Sequence, residues 1–226
     1  MQILFEDADL IVCVKPRGVD SEGERETDMP RLLSRHREEN GDGGEVYPVH
    51  RLDKETAGVM VYAKTREAAA SLSRQMQEKT AKKEYLAVTS VVPELPSATL
   101  KDLLFHDRNK NKSFVVGRMR RGVREARLSY RTVAVDGDRA LLCVVLDTGR
   151  THQIRVQMSH RGCSLLGDRR YGGAPAPTLA LFAFRLSFLH PKQKKSLCFS
   201  ALPDGDEAPF LPFRDTLKEL LKCDGE

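Results

Sequence analysis

The feature that most constrains this chain is a succession of short apolar runs, each closed by a turn signal. Leu10–Val14 ends on Lys15-Pro16-Arg17-Gly18, and Tyr85–Val92 ends on Pro93. Arg127–Val135 and Arg139–Leu146 flank Asp136-Gly137-Asp138, which reads as a hairpin. Gly58–Lys64, Leu179–Leu189 and Leu197–Ala201 read as further strands. Helical spacing is confined to three places. Thr65 can cap a helix running to about Lys79, with Glu67 in its first turn and Ala68, Leu72 and Met76 in one stripe. Thr151–Ser159 has a helical pattern stopped by Gly162, and Phe213, Leu217, Leu220 and Leu221 line a last helix. Hairpins outnumber βαβ alternation. The expected fold class is therefore α+β, a mixed, largely antiparallel central sheet flanked by helices and loops. With no repeat or long linker, residues 1–226 are expected to form one domain, with a seam between two lobes at 93–96.

Composition narrows the class. The hydrophobic share of 40% and charged share of 31% belong to a globular protein rather than a disordered or fibrous one. No apolar run approaches the roughly 18 residues of a membrane helix, and Glu6, Asp7 and Asp9 stand where a signal peptide carries positive charge. Cys13, Cys143, Cys163, Cys198 and Cys223 are odd in number and form no CxxC pair, so neither a disulfide framework nor a zinc site is expected. These features predict a cytoplasmic protein without a membrane partner. The net charge of +5 hides an uneven distribution. Residues 20–45 carry nine acids, Glu24 among them, against four arginines, a net −5; residues 101–127 carry nine bases against three acids, a net +6. The basic stretch, with Arg120, Arg121 and Arg124, is a candidate for contacts to a phosphate backbone.

Reactive residue types concentrate in two stretches. In the first, His50-Arg51-Leu52-Asp53-Lys54, a carboxylate sits between cations that favour its ionised form, suiting it to act as a nucleophile or base. The second runs through Arg150-Thr151-His152-Gln153-Ile154-Arg155 and on to Gly167-Asp168 and Tyr171-Gly172. On a helix Arg150 and Arg155 would point in different directions, one toward a pocket and one toward solvent or phosphate. His50 and His152 lack the HxxxH or HxH spacing of metal ligands, so no metal is expected.

These blocks carry a resemblance. His50-Arg51-Leu52-Asp53 with Thr56-Ala57-Gly58 resembles the signature loop of the RluA-type RNA pseudouridine synthases. Asp9–Gly18, Lys83–Ala87, Thr148–Arg155 with Gly167-Asp168 and Tyr171-Gly172, and Phe188–Pro191 resemble that family's other blocks, in family order. The chain departs from the pattern at Ala57, Gln157, Met158 and Phe182. The resemblance implies isomerisation of uridine in RNA to pseudouridine, in which the N1–C1′ bond is broken and C1′ is rejoined to C5. Asp53 would act on the ribose, either attacking C1′ or taking the C2′ proton. Tyr85 would stack on the uracil and help remove the C5 proton. Arg155 would pair with the aspartate, and Arg51 would fill the space left by the flipped base. His50, Arg150, Thr151, His152, Gln153 and Ile154 would contact substrate.

Base flipping is required on physical grounds, because a glycosidic carbon inside stacked RNA is unreachable. The reaction involves no redox change and no phosphate transfer, so no cofactor is expected. The partner would be ribosomal or transfer RNA, and the protein a monomer. The first family strand begins near residue 3, so no S4 RNA-binding domain is expected before it. Two other readings compete: a non-catalytic RNA-binding helper on the same fold, and a metal-dependent nuclease using Asp53, Asp168 and His152.

Overall fold

The computed structural model describes residues 1–23, 25–204 and 207–222; Glu24 and Cys223 lie outside the described residues. In chain order the elements are β1 (Gln2–Glu6), β2 (Leu10–Lys15), α1 (Met29–Glu39), β3 (Tyr47–Pro48), β4 (Ala57–Ala63), α2 (Arg66–Glu78), β5 (Lys82–Thr89), β6 (Ser97–Asp107), β7 (Lys112–Val116), β8 (Val123–Asp136), β9 (Arg139–Leu146), α3 (Gln153–His160), β10 (Leu181–Leu189), β11 (Ser196–Ser200) and α4 (Arg214–Lys222). This is the expected α+β class, with antiparallel pairing in the β1/β2, β2/β4, β5/β9, β8/β9, β6/β8, β6/β7 and β10/β11 ladders.

The chain divides into two compact units, Met1–Lys83 with Ala183–Ala201, and Glu84–Phe182 with Leu202–Glu226. Pro93–Pro96 falls inside the second unit.

In the first unit the strands run β1-β2-β4-β10, with β3 on β4 and β11 on β10. Alternation along the strands puts Leu10 and Val12, Val59, Val61 and Ala63, and Leu186 and Phe188 into one buried cluster with Ala68 and Leu72 of α2. Every residue of β4 is buried, so the segment leading into it is anchored on a fixed strand. α2 begins where its cap predicts: Thr65 Oγ1 accepts from Ala68 N–H at 3.1 Å. Gly58, at φ +129°, lies so close to the Ala183 backbone that a Cβ there would collide with it. α1 was hidden in the acidic stretch. Its Met29 and Leu33 are fully buried, and Arg37 donates to the Glu45 carbonyl at 2.7 Å.

In the second unit the order is β5-β9-β8-β6-β7. The β8/β9 hairpin turns at Gly137-Asp138 as expected, with Asp136 opposite Arg139. β5 is shorter than its apolar run: pairing ends at Thr89, Ser90 N–H turns to the Ser164 carbonyl, and Val91 and Val92 are exposed. α3 packs on β6 and β7 through a cluster of Leu104, Ala126, Val156 and Tyr171. Among the described residues no helix is long and apolar enough to cross a membrane.

Candidate active site

Asp53 lies in the turn between β3 and β4, and its carbonyl accepts from Thr56 N–H at 2.9 Å. The loop that follows β2 grips this turn by its backbone. Lys15 is fully buried, and its ammonium donates to the carbonyls of Pro16 (2.9 Å), Val19 (2.7 Å) and Lys54 (3.3 Å). Gly18 N–H donates to the same Lys54 carbonyl at 2.9 Å, and Arg17 Nη1 to the Glu55 carbonyl at 2.7 Å. Ser21 Oγ accepts from Leu52 N–H (3.2 Å) and donates to the Leu52 carbonyl (2.9 Å), while Tyr62 donates its hydroxyl proton to the Ser21 carbonyl (2.8 Å). Residues 52, 54 and 55 are thus held at their main-chain atoms by the side chains of Lys15, Arg17 and Ser21 and by Gly18 N–H, which fixes the backbone on both sides of Asp53.

The charged neighbours are held too. Arg51 Nη1 lies 2.8 Å from Glu22 Oε1, and Lys54 Nζ 3.1 Å from Asp20 Oδ2. Part of the acidic stretch therefore serves to position the signature cations. Burial pushes the Lys15 ammonium down from 10.5 to about 8, an effect that Asp20 and Asp53 oppose. Burial also pushes His50 down to about 3. His50 is neutral at pH 7 and accepts Val61 N–H on Nε2 at 3.2 Å, so its proton sits on Nδ1. His50 thereby ties the turn to β4.

In the second unit Tyr85 is buried on β5, opposite Val144. Arg155 lies on α3, 6% exposed, and grips Asp168 in a bidentate pair: Nε to Oδ2 at 2.7 Å and Nη2 to Oδ1 at 2.8 Å. Asp168 also accepts from the N–H groups of Arg170 (3.1 Å) and Tyr171 (3.2 Å). Both oxygens of Asp168 are committed, which leaves it poorly suited to the metal-ligand role that the nuclease reading requires. This pairing has no local signal, because its partners are thirteen residues apart and meet only once the 162–173 turns have folded back. Gly173 enforces that fold: a Cβ there would collide with the Leu165 carbonyl.

The rest of the segment braces itself. Arg150 lies ahead of α3, not on it, and donates from Nε to the Glu125 carbonyl at 2.9 Å. Gln153, expected to contact substrate, is buried; its Oε1 accepts from Thr148 Oγ1 (2.8 Å) and Arg150 N–H (3.0 Å), and its Nε2 donates to the Arg127 carbonyl (3.1 Å). Ile154 is buried beside it. His152 takes a left-handed backbone, φ +56°, and its Nδ1 lies 2.9 Å from the Tyr171 hydroxyl, which accepts Ser113 N–H at 2.7 Å. Thr151 offers its carbonyl to Ser113 Oγ at 2.6 Å. Gln157, one of the departures from the family pattern, is fully buried and donates to Asp102 Oδ2 at 2.6 Å, next to the Arg161–Asp102 pair. Of the basic stretch, Arg121 and Arg124 are exposed, and Arg120 stacks on Phe105 at 5.2 Å.

Comparison with known proteins agrees with these blocks. Residues 9–160 match the family model described as RNA pseudouridylate synthase. An uncharacterized RNA pseudouridine synthase, YhcT, of Bacillus subtilis is 33% identical over 199 residues, covering 84% of this chain and 65% of that protein. The ribosomal large subunit pseudouridine synthase D of Zymomonas mobilis is 34% identical over 221 residues, covering 89% and 68%. The chain thus spans about two thirds of the length of these relatives. In fold it is similar to human RNA pseudouridylate synthase domain containing 4, with a TM-score of 0.79 at 24% identity, covering 94% of this chain and 93% of that one. The chain belongs to the RNA pseudouridylate synthase family.

Proposed function

We propose that this protein is an RNA pseudouridine synthase, an isomerase that flips a uridine out of its stack, cleaves N1–C1′ and rejoins C1′ to C5. The observation that carries this reading is the clamped turn around Asp53, in a chain whose family-model match includes that turn. A carboxylate that must meet C1′ or the C2′ proton gains most from a fixed backbone, since misplacement by an ångström costs catalysis heavily. Lys15 and Ser21 supply that rigidity from fully and nearly fully buried positions. A protein that only held RNA would have no need of it, which weighs against the non-catalytic alternative.

In this assignment Asp53 acts at the ribose, Tyr85 stacks on the uracil and Arg155 supports the aspartate's ionised form. Arg51 leaves Glu22 and enters the space vacated by the base. That exchange is cheap, because exposed ion pairs contribute only about 0–1 kcal/mol. His50, His152, Gln153 and Ile154 serve by holding their segments, and Arg150 and Thr151 border the substrate. Residues 1–226 act as one catalytic domain.

The substrate class is RNA, and the relative named for the ribosomal large subunit makes ribosomal RNA the first to try. The test is tritium release from RNA labelled at C5 of uridine, using ribosomal and transfer RNA transcripts. Release with either supports the reading; pseudouridine in neither, across a broad panel, favours the non-catalytic alternative.

A further inference from the structure

The order β8-β6-β7 places β6 between two strands that are consecutive in the chain. Residues 117–122, which join β7 to β8, must therefore cross over β6. Val116 lies opposite Leu103 on one side of β6, and Val123 lies opposite Phe105 on the other. Side chains alternate along strands, so Leu103 and Phe105 share a face with Phe114, which stands opposite Phe105. Leu104 is on the other face, in the cluster with Ala126, Val156 and Tyr171. The crossing runs over the Phe105 face: the Arg120 guanidinium lies 5.2 Å from the Phe105 ring centroid, and a Cβ on Gly122 would touch that ring at 3.4 Å.

The segment is thus a braced strap. Arg120 serves as its brace through a cation–π contact. Arg118, Met119 and Arg121 are left exposed, with Met119 at 56%. Beside the strap Phe114 is 36% exposed, with Lys112 Nζ 5.8 Å from its ring. Two large apolar side chains therefore stand at the surface of a stretch with net charge +6. That combination fits a polyanion that also offers flat apolar faces, which describes unpaired RNA.

The strap's sheet is also fastened to the segment that carries Arg155. Ser113 bonds Tyr171 and Thr151, Arg170 Nη1 donates to the carbonyls of Lys110 (3.0 Å) and Asn111 (2.9 Å), and Arg150 is tied to the Glu125 carbonyl. That segment packs on the Leu104 face of the sheet, and the strap crosses the Phe105 face.

We infer that the 117–122 strap with Phe114 is a docking surface for unpaired nucleotides of the RNA substrate. Arg118 and Arg121 take backbone phosphates, and Met119 and Phe114 lie against base faces. This rests on the proposed RNA substrate. It makes the loop regions of a folded RNA, rather than its duplex stems, the ground this surface recognises.

The test measures binding of the full chain to a short RNA stem–loop with a uridine in its loop, and to a blunt RNA duplex, across a salt series. Met119→Ser with Phe114→Ser should weaken stem–loop binding about five-fold or more, from loss of base contact, with the salt slope unchanged and duplex binding unaltered. Met119→Ser alone, on the strap itself, should give the same pattern more weakly. Arg118→Ser and Arg121→Ser should each lower the stem–loop salt slope by about 0.7. Stem–loop affinity unchanged in both apolar variants, or equal weakening on both RNAs, would overturn the inference. Tritium release by the wild type is scored separately. A chain that binds the stem–loop through Met119 yet turns over no RNA refutes the isomerase reading and leaves the strap standing.

Discussion

Two of the carboxylates that stand near arginines, Asp168 and Asp53, sit in differently built surroundings. Asp168 is 1% exposed, with both oxygens taken up by Arg155 and two backbone N–H groups. Asp53 is partly exposed, in a turn whose main-chain atoms are held by the side chains of Lys15, Arg17 and Ser21. In the first region the side chains are spent on holding the segment together. In the second the main chain around the carboxylate is held by side chains from another segment. A sequence shows both as an acid near an arginine; only the structure separates a carboxylate enclosed by its partners from one partly exposed on a clamped turn.

The largest effect expected from this difference is on stability. Asp168→Ala removes the bidentate partner of the buried Arg155 guanidinium and should cost about 3–5 kcal/mol, read from urea unfolding, whereas the near-isosteric Asp53→Asn at a partly exposed position should cost less. Equal losses would erase the distinction.

Lys15→Met strips donors from three carbonyls and should cost about 1–3 kcal/mol, with turnover falling further than stability because the Asp53 turn loosens. Its linkage has a definite sign. The folded lysine releases its proton near pH 8 and the unfolded one near 10.5, so the unfolded state binds more protons between them and wild-type stability gains from this group as pH rises through that window. The gain should vanish in Lys15→Met.

His50 behaves analogously on the acid side. It is protonated near pH 6.5 when unfolded and only near 3 when folded, so its contribution is present above 6.5 and is lost as pH falls toward 3. His50→Gln should flatten that part of the curve of urea midpoint against pH; an unaltered slope would mean the imidazole is not held neutral.

The smallest effect is at the surface. Glu22→Gln frees Arg51 from an exposed ion pair and should change stability by less than about 1 kcal/mol while modestly tightening RNA binding. Weaker binding would contradict the exchange of partners proposed for Arg51.

What the sequence revealed follows the same divide. α2 was legible from Thr65 and the Ala68–Leu72–Met76 stripe, and the β8/β9 hairpin from Asp136-Gly137, because those signals are local. α1 was not, since Met29 and Leu33 are nearly its whole apolar content amid charge, and the segment read only as acidic. β6 and β7 were obscured by Lys101, Asp102, His106 and Lys112, which interrupt a clean alternation. In the candidate site the residue types were visible, and Asp53 and Arg155 stood out as members of blocks dense in reactive residues. The partners were not visible: Glu22 for Arg51, Asp168 for Arg155 and Ser21 for Leu52 are long-range pairings that exist only after folding.

Asp53, and not Asp168, is the carboxylate proposed to act on RNA, and that assignment has a direct test. It is tritium release from C5-labelled uridine RNA with wild type and Asp53→Asn at matched RNA occupancy. Wild type should release tritium, and Asp53→Asn should lose release with binding and urea midpoint retained; turnover persisting in Asp53→Asn would remove Asp53 from the chemistry.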